Sequence, residues 1–187
     1  LPEDLDSWLS RREGMYTDIV DGAQKKIFWA LKPGRKTPFS IVSIHGFTAT
    51  RQEVAPLFEH VAGDIGANLF QTRLRGHGRG ADAMAEATLN GWVNDVWEAW
   101  EIGRRIGRKV ILAAVSTGAP LAAWLCTQVD DAAALIMCSA NFMPRDPGAR
   151  LIPLPWGSLI VRLFVGKYNS YNVINEAHGK YWTTTYR

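Results

Sequence analysis

Residues 109–125 read KVILAAVSTGAPLAAWL, and no other run in the chain restricts the fold as tightly. Apolar residues occupy successive positions up to Val115, the pattern of a strand buried on both faces. A helix-like pattern begins at Gly118, which leaves no residues for a loop. A strand that turns straight into a helix holds its corner residue at the carboxyl edge of a parallel sheet, where ligands bind in such folds. That corner is Ser116, and strained backbone angles are expected there. Its neighbours two before and two after, Ala114 and Gly118, are small enough for so tight a bend. The following helix aims free N–H groups at the same place, which favours an oxyanion. A serine so placed is a nucleophile in need of a base. At an ordinary junction the same serine is a helix N-cap, and on this motif alone both readings stand.

The rest of the chain fits around this corner. Strands are expected at 26–31, 39–44, 68–72, 109–114 and 133–138, with helices at 53–61, 91–106 and 118–128. In 91–106, Trp92, Val93, Val96, Trp97 and Trp100 share one face, with Asn94, Asp95, Glu98 and Glu101 opposite. Alternating strands and helices imply a parallel sheet covered on two sides. We divide the chain into a lead-in with a short helix (1–25), a core (26–141) and a segment rich in Pro and Gly yet strongly apolar (142–187), packed over the sheet. At 187 residues and 47% hydrophobic, the chain can bury one domain core.

Several function classes drop out. Net charge is +3 and the basic residues are scattered, so no nucleic-acid footprint is present. No apolar run is long enough to span a bilayer. The first residue is Leu1 rather than Met, so an upstream signal or anchor stays open, and the compartment with it. Cys126 and Cys138 are expected as buried thiols, and no metal-ligand spacing is present. The glycines at 76, 78 and 80 do not form the dinucleotide fingerprint.

His45-Gly46-Phe47 closes an apolar strand, and its backbone can face the same sheet edge as Ser116. Acyl transfer needs two N–H donors about 3 Å from the developing oxyanion. Phe47 N–H and Thr117 N–H are the candidates. The His45 side chain is read as a structural loop histidine, and His77, in Arg75-Gly76-His77-Gly78, as a turn-stabilising residue rather than a base.

Taken in order, SIHGFTAT, TRLRGHG, GWVNDVWEAW and AAVSTGAPLAAWL resemble the α/β-hydrolases, most of all their carboxylesterase and monoacylglycerol-lipase-like branch, over about residues 27–140. The serine turn departs from G-x-S-x-G in having Ala114 first. The resemblance implies an α/β-hydrolase fold, a mostly parallel sheet flanked by helices, with 142–187 as the start of a cap or lid. It also implies a serine esterase or lipase-like carboxylester hydrolase acting through an acyl-enzyme on Ser116. Phe47 and Thr117 would supply the oxyanion hole, and His45, Gly46, Ala114 and Gly118 would support the site. No metal or organic cofactor is implied.

In this family the nucleophile is followed by an acid and then a histidine. After Cys138 the sequence offers Asp146 in a turn, and Glu176 and His178 in a cap helix running into a linker, without a convincing pair of further strands. Asp130 and Asp131 read as the end of a helix. We therefore expect this chain to be the N-terminal portion of a hydrolase, with the acid, the histidine and two strands beyond residue 187. An open sheet edge would then need covering, by a C-terminal fragment of the same protein or by a second copy. Phe142, Leu151, Leu154, Trp156, Leu159, Leu163 and Phe164 suit a small-molecule ester with an apolar acyl group, and equally suit plain core packing. Two alternatives stay open: another acyl or C–C hydrolysis on the same scaffold, and a non-catalytic ligand-binding protein.

Overall fold

The computed structural model describes residues 1–143, 155–156, 168–170, 179 and 181–186. Asp146, Glu176 and His178, and the cap candidates Leu151, Leu154, Leu159, Leu163 and Phe164, lie outside the described residues.

Five strands form one sheet: β1 (Lys26–Phe28), β2 (Thr37–Ile44), β3 (Asn68–Gln71), β4 (Gly107–Val115) and β5 (Ala132–Cys138). The spatial order is β1-β3-β2-β4-β5. The pairs β3–β2, β2–β4 and β4–β5 are parallel, and β1 joins β3 antiparallel, so the sheet is mixed at one edge. The parallel pairs follow from the helical crossovers between their strands. The helices are α1 (Leu5–Glu13), α2 (Leu57–Asp64), α3 (Leu89–Ile106) and α4 (Gly118–Cys126). A second, two-stranded sheet pairs β6 (Asn169–Ser170) with β7 (Thr185–Tyr186).

Alternate residues of the strands feed two cores. On one face, Val42, Ile44, Phe70, Leu112 and Ala114 meet the α3 and α4 side chains around Trp100, which is 1% exposed. On the other, Ile41, Leu69, Ala113 and Val115 meet Phe58 and Ala62 of α2. Full burial of each large side chain contributes about 1.5–3 kcal/mol, which is what holds the helices to the sheet.

Several elements differ from the sequence expectation, each for a local reason. The helix expected at 53–61 is instead a short 3-10 turn, Arg51–Val54, followed by α2. Pro56 has no N–H to donate and disfavours helical angles at Ala55, so the two pieces cannot fuse. Strand β1 stops at Phe28, and α4 stops at Cys126, where the Thr127 hydroxyl caps the Trp124 carbonyl at 2.7 Å. In α3 the face buried most deeply comprises Val96, Ala99, Trp100, Ile102 and Ile106, while Trp92, Val93 and Trp97 are only half-buried. Asp95 and Glu98 are not a solvated face: both pair with Lys25 at the end of the lead-in, and Arg12 reaches Glu98 at 3.3 Å. Below this lies a forked ion pair, Arg73 Nε and Nη2 to the two Glu13 carboxylate oxygens, each at 2.8 Å. The lead-in is thus tied to the core by charge.

Strand β5 forms the outer edge, with Ile136 and Met137 nearly half exposed. Among the described residues, no helix is long and apolar enough to cross a membrane. Cys126 and Cys138 are free and half-buried.

Candidate active site

Strand β4 ends at Val115 and α4 begins at Gly118, so only Ser116 and Thr117 make the turn. Ser116 has φ 48°, in the left-handed region that a side chain adopts only at a cost of about 1–2 kcal/mol. The strain is held by three hydrogen bonds. Ser116 N–H donates to the Cys138 carbonyl at 2.9 Å, and the Ser116 carbonyl accepts from Ala119 and Asn141, both at 3.1 Å. The ends of β4 and β5 therefore brace each other at the corner. Thr48 (φ 60°) and Ser139 (φ 49°) adopt the same rare conformation just past the ends of β2 and β5. Backbone strain concentrates at the carboxyl edges of neighbouring strands, the place where such sheets bind ligands.

The small residues have steric reasons to be there. A Cβ at Gly118 would lie 2.5 Å from the Ile44 carbonyl oxygen and 2.7 Å from that of His45. A Cβ at Gly46 would lie 3.0 Å from Ser116 Cβ and 2.9 Å from Glu53 Oε1. Ala114 is fully buried beneath the turn. The His45-Gly46-Phe47 turn thus lies directly against the serine corner.

His45 is buried, and its partners fix its tautomer. The Leu74 N–H donates to His45 Nε2 at 3.0 Å, so the proton sits on Nδ1, which donates to the Gly46 carbonyl at 2.8 Å. Burial, and then the neighbouring His77, hold the imidazole well below its ordinary pKa, so it is neutral. His77 is also fully buried: burial pushes its pKa down to about 4, its Nδ1 lies 3.2 Å from the Arg75 carbonyl, and its Nε2 has no partner among the described residues. Both rings pack in an aromatic group with Phe47 and Trp92.

Among the described residues, neither Phe47 nor Thr117 spends its N–H on another protein group, and Ser116 Oγ makes no hydrogen bond. Phe47 is 39% exposed, and its ring meets Tyr186 edge-on at 5.2 Å. Thr183 N–H donates to the Thr48 carbonyl at 2.8 Å, which brings residues 181–186 against the same turn. Phe142 and Trp156, the described members of the cap candidates, are both largely exposed. Asp131 lies 3.7 Å from Arg104 on the surface. A cavity of about 460 Å³ opens between α1 and β1, lined by Leu9, Tyr16 and Ile27 among others; Ser116 is not in its wall. Among the described residues, no cluster of His, Cys, Asp and Glu is placed to hold a metal ion.

One residue of this site escaped sequence reasoning. Glu53 comes back from the 3-10 turn to accept the Gly46 N–H at 2.8 Å, and burial holds its carboxyl above the usual pKa although that hydrogen bond lowers it. A glutamate seven residues after Gly46, at the start of a segment expected to be a helix, gave no sign of pointing inward.

No protein-family model matches the chain. It is 27% identical over 103 residues to the thermostable monoacylglycerol lipase of Bacillus sp. (strain H-257), a match covering 55% of this chain and 41% of that protein. Among solved structures, it is similar to one from work on LipS and LipT, two metagenome-derived lipolytic enzymes (TM-score 0.63, 24% identity, 73% of this chain and 54% of that one). It is also similar to the Paleococcus ferrophilus monoacylglycerol lipase (TM-score 0.59, 14% identity, 87% and 64%). The chain spans roughly half the length of these relatives.

Proposed function

Given a chain with the α/β-hydrolase fold and lipase-like and esterase-like relatives, we propose that it carries the nucleophile half of a serine carboxylester hydrolase. The observation that carries the reading is the contact between two edges. The strained Ser116 corner and the Gly46 turn touch, and among the described residues the amides following each, Thr117 and Phe47, are unspent. Two free N–H groups beside an alcohol are the parts of an oxyanion hole.

In the proposed reaction Ser116 Oγ attacks the ester carbonyl carbon and gives up its proton to a histidine. Phe47 N–H and Thr117 N–H donate to the carbonyl oxygen as it gains negative charge. The tetrahedral intermediate collapses, the alcohol leaves with the histidine's proton, and an acyl-enzyme remains on Ser116. Water, deprotonated by the same histidine, releases the acid. His45 cannot be this base, since both its ring nitrogens are engaged. His77 is sealed under Phe47 and Trp92. His60 is exposed on α2 and His178 lies outside the described residues, and by the family's order of nucleophile, acid and histidine we propose that the base and its acid lie in sequence beyond residue 187. The exposed edge of β5 suits the same source, or a second copy of the chain, as its cover. The substrate proposed is a small-molecule ester with an apolar acyl group, by analogy with the relatives.

The test is labelling by a fluorophosphonate probe in the full-length protein. Modification at Ser116 that disappears in Ser116→Ala, together with hydrolysis of p-nitrophenyl esters, supports the reading. A folded, full-length protein that is neither labelled nor active would overturn it.

A further inference from the structure

Gly46 must lack a side chain to touch Ser116, and glycine is also the residue whose backbone moves most freely. A turn that aims an amide through glycine therefore needs its peptide planes held by something else. The two planes flanking Gly46 are held by two different side chains. The Gly46–Phe47 unit is fixed through its carbonyl, which accepts from His45 Nδ1 at 2.8 Å and from the Ala49 N–H at 3.4 Å. Its N–H belongs to Phe47, and in a trans peptide it points away from that carbonyl. The His45–Gly46 unit is fixed through its N–H, which donates to Glu53 Oε2 at 2.8 Å.

Glu53 is an expensive choice for stability alone. The carboxyl is largely buried, and among the described residues it has no ion-pair partner. A buried carboxylate without a cation costs more than an apolar residue of the same size. Its negative charge also stands near the place where an oxyanion would form, and would oppose it. What remains useful is the position of an acceptor oxygen. That position is built: Glu53 lies in a 3-10 turn capped by the Thr50 side chain, which accepts from Gln52, and Glu53's own N–H donates to the Thr50 carbonyl at 3.0 Å.

We propose that Glu53 is a positioning residue: by accepting the Gly46 N–H, it holds the turn that aims the Phe47 amide beside Ser116. This rests on the serine-hydrolase reading above. It touches no substrate, and its charge is incidental to its role.

The experiment compares Glu53→Gln and Glu53→Asp in the full-length protein, by steady-state hydrolysis of p-nitrophenyl esters and by the rate of fluorophosphonate labelling, with thermal midpoints measured in parallel. Glutamine keeps an acceptor oxygen at the same reach and loses the charge. Aspartate keeps the charge and is one methylene short. The expected result is that Glu53→Gln changes kcat by less than about threefold in either direction, while Glu53→Asp lowers it by about tenfold or more with KM nearly unchanged. Reversal of that order would show that the charge matters and overturn the clamp. Wild-type kcat in both variants would overturn it too. An inactive, unlabelled wild type would instead remove the serine-hydrolase reading, and the clamp with it, whereas an active wild type with indifferent Glu53 variants would remove the clamp alone.

Discussion

Gly118→Ala sets two magnitudes against each other. Gly118 is the first residue of α4, and replacing glycine with alanine in a helix normally stabilises by up to about 1 kcal/mol. The new methyl would sit 2.5 Å from the Ile44 carbonyl oxygen and 2.7 Å from the His45 oxygen. A carbon–oxygen contact relaxes at about 3.3 Å, so something must move by roughly 0.8 Å. The blocking atoms are backbone, at the end of β2, and no side-chain rotation clears them. Overpacking of this kind costs about 1–3 kcal/mol, and the propensity gain is small at a first helical position. The clash wins, and the variant should lose about 1–2 kcal/mol.

Gly63→Ala is the internal control. Gly63 is an exposed residue of α2 with nothing within 4 Å of its missing Cβ, so there the propensity term acts alone and should add about 0.5 kcal/mol. Urea titration reads both, as shifts in midpoint at constant slope. Gly118→Ala should also slow probe labelling of Ser116, because pushing the Ile44 and His45 carbonyls displaces the turn that follows them. A Gly118→Ala protein as stable as wild type, beside a stabilised Gly63→Ala, would falsify the steric account of the corner.

Ser116→Gly and Ser116→Ala should both abolish labelling. The glycine variant, however, should be more stable than the alanine one by about 1 kcal/mol in thermal melts, because only glycine accepts φ 48° freely. Acid should destabilise the fold through His77. Its folded pKa of about 4 lies below the ordinary 6.5, so the unfolded chain binds the extra proton first, and stability falls as pH drops from about 6.5 towards 4. Buried His45 adds a slope of the same sign, so His77→Phe should reduce but not abolish it in urea midpoints taken at pH 7.5 and 5, and an unchanged slope would count against the buried neutral His77 imidazole. Glu13 resists protonation: burial raises its pKa, but the Arg73 hydrogen bond and charge, with Lys25, outweigh this and hold it below the ordinary 4.5. Its contribution is present above about pH 4.5 and lost as pH falls through the lower folded value. Glu13→Gln leaves Arg73 buried without a countercharge and should cost about 3–5 kcal/mol at pH 7 by chemical denaturation.

The sheet was legible because its strands carry their burial in their own sequence. LAAV before Ser116 is apolar at every position, as a two-sided strand needs, and SIVSI before His45 is apolar or small throughout, with buried Ser40 donating its hydroxyl to the Gly103 carbonyl. The corner was legible in its shape, since a strand running into a helix with small residues two places either side of Ser116 leaves only a tight bend, although the motif alone left open whether the serine is a nucleophile or a helix N-cap. What could not be read were contacts between residues far apart in the chain. Lys25 with Glu98, and Glu13 with Arg73, sit on segments that separately look like solvated lead-in, helix surface and a turn after a strand. The helix expected at 53–61 begins only at Leu57, because Pro56 lacks the N–H and restricts Ala55, a signal that the sequence carries in plain view.

The same division runs through the site. The atoms proposed to meet substrate, Ser116 Oγ and the amides of Phe47 and Thr117, fall within two short motifs, since steric limits on a tight bend leave a local signature. The atoms that hold them come from elsewhere: Leu74 N–H sets the His45 tautomer from the end of the next strand, Cys138 holds the Ser116 amide from β5, and Glu53 returns from a 3-10 turn. None of these needs a particular neighbour in sequence, and two of the three are backbone groups that any side chain could carry. A motif therefore identifies where chemistry can occur, while the accuracy of that chemistry depends on residues with no motif. This is why the Glu53 variants are a sharper probe of the site than Ser116→Ala: loss of the nucleophile ends the reaction in any arrangement, whereas a graded loss on shortening one carboxylate arises only if the turn must be held where the structure holds it.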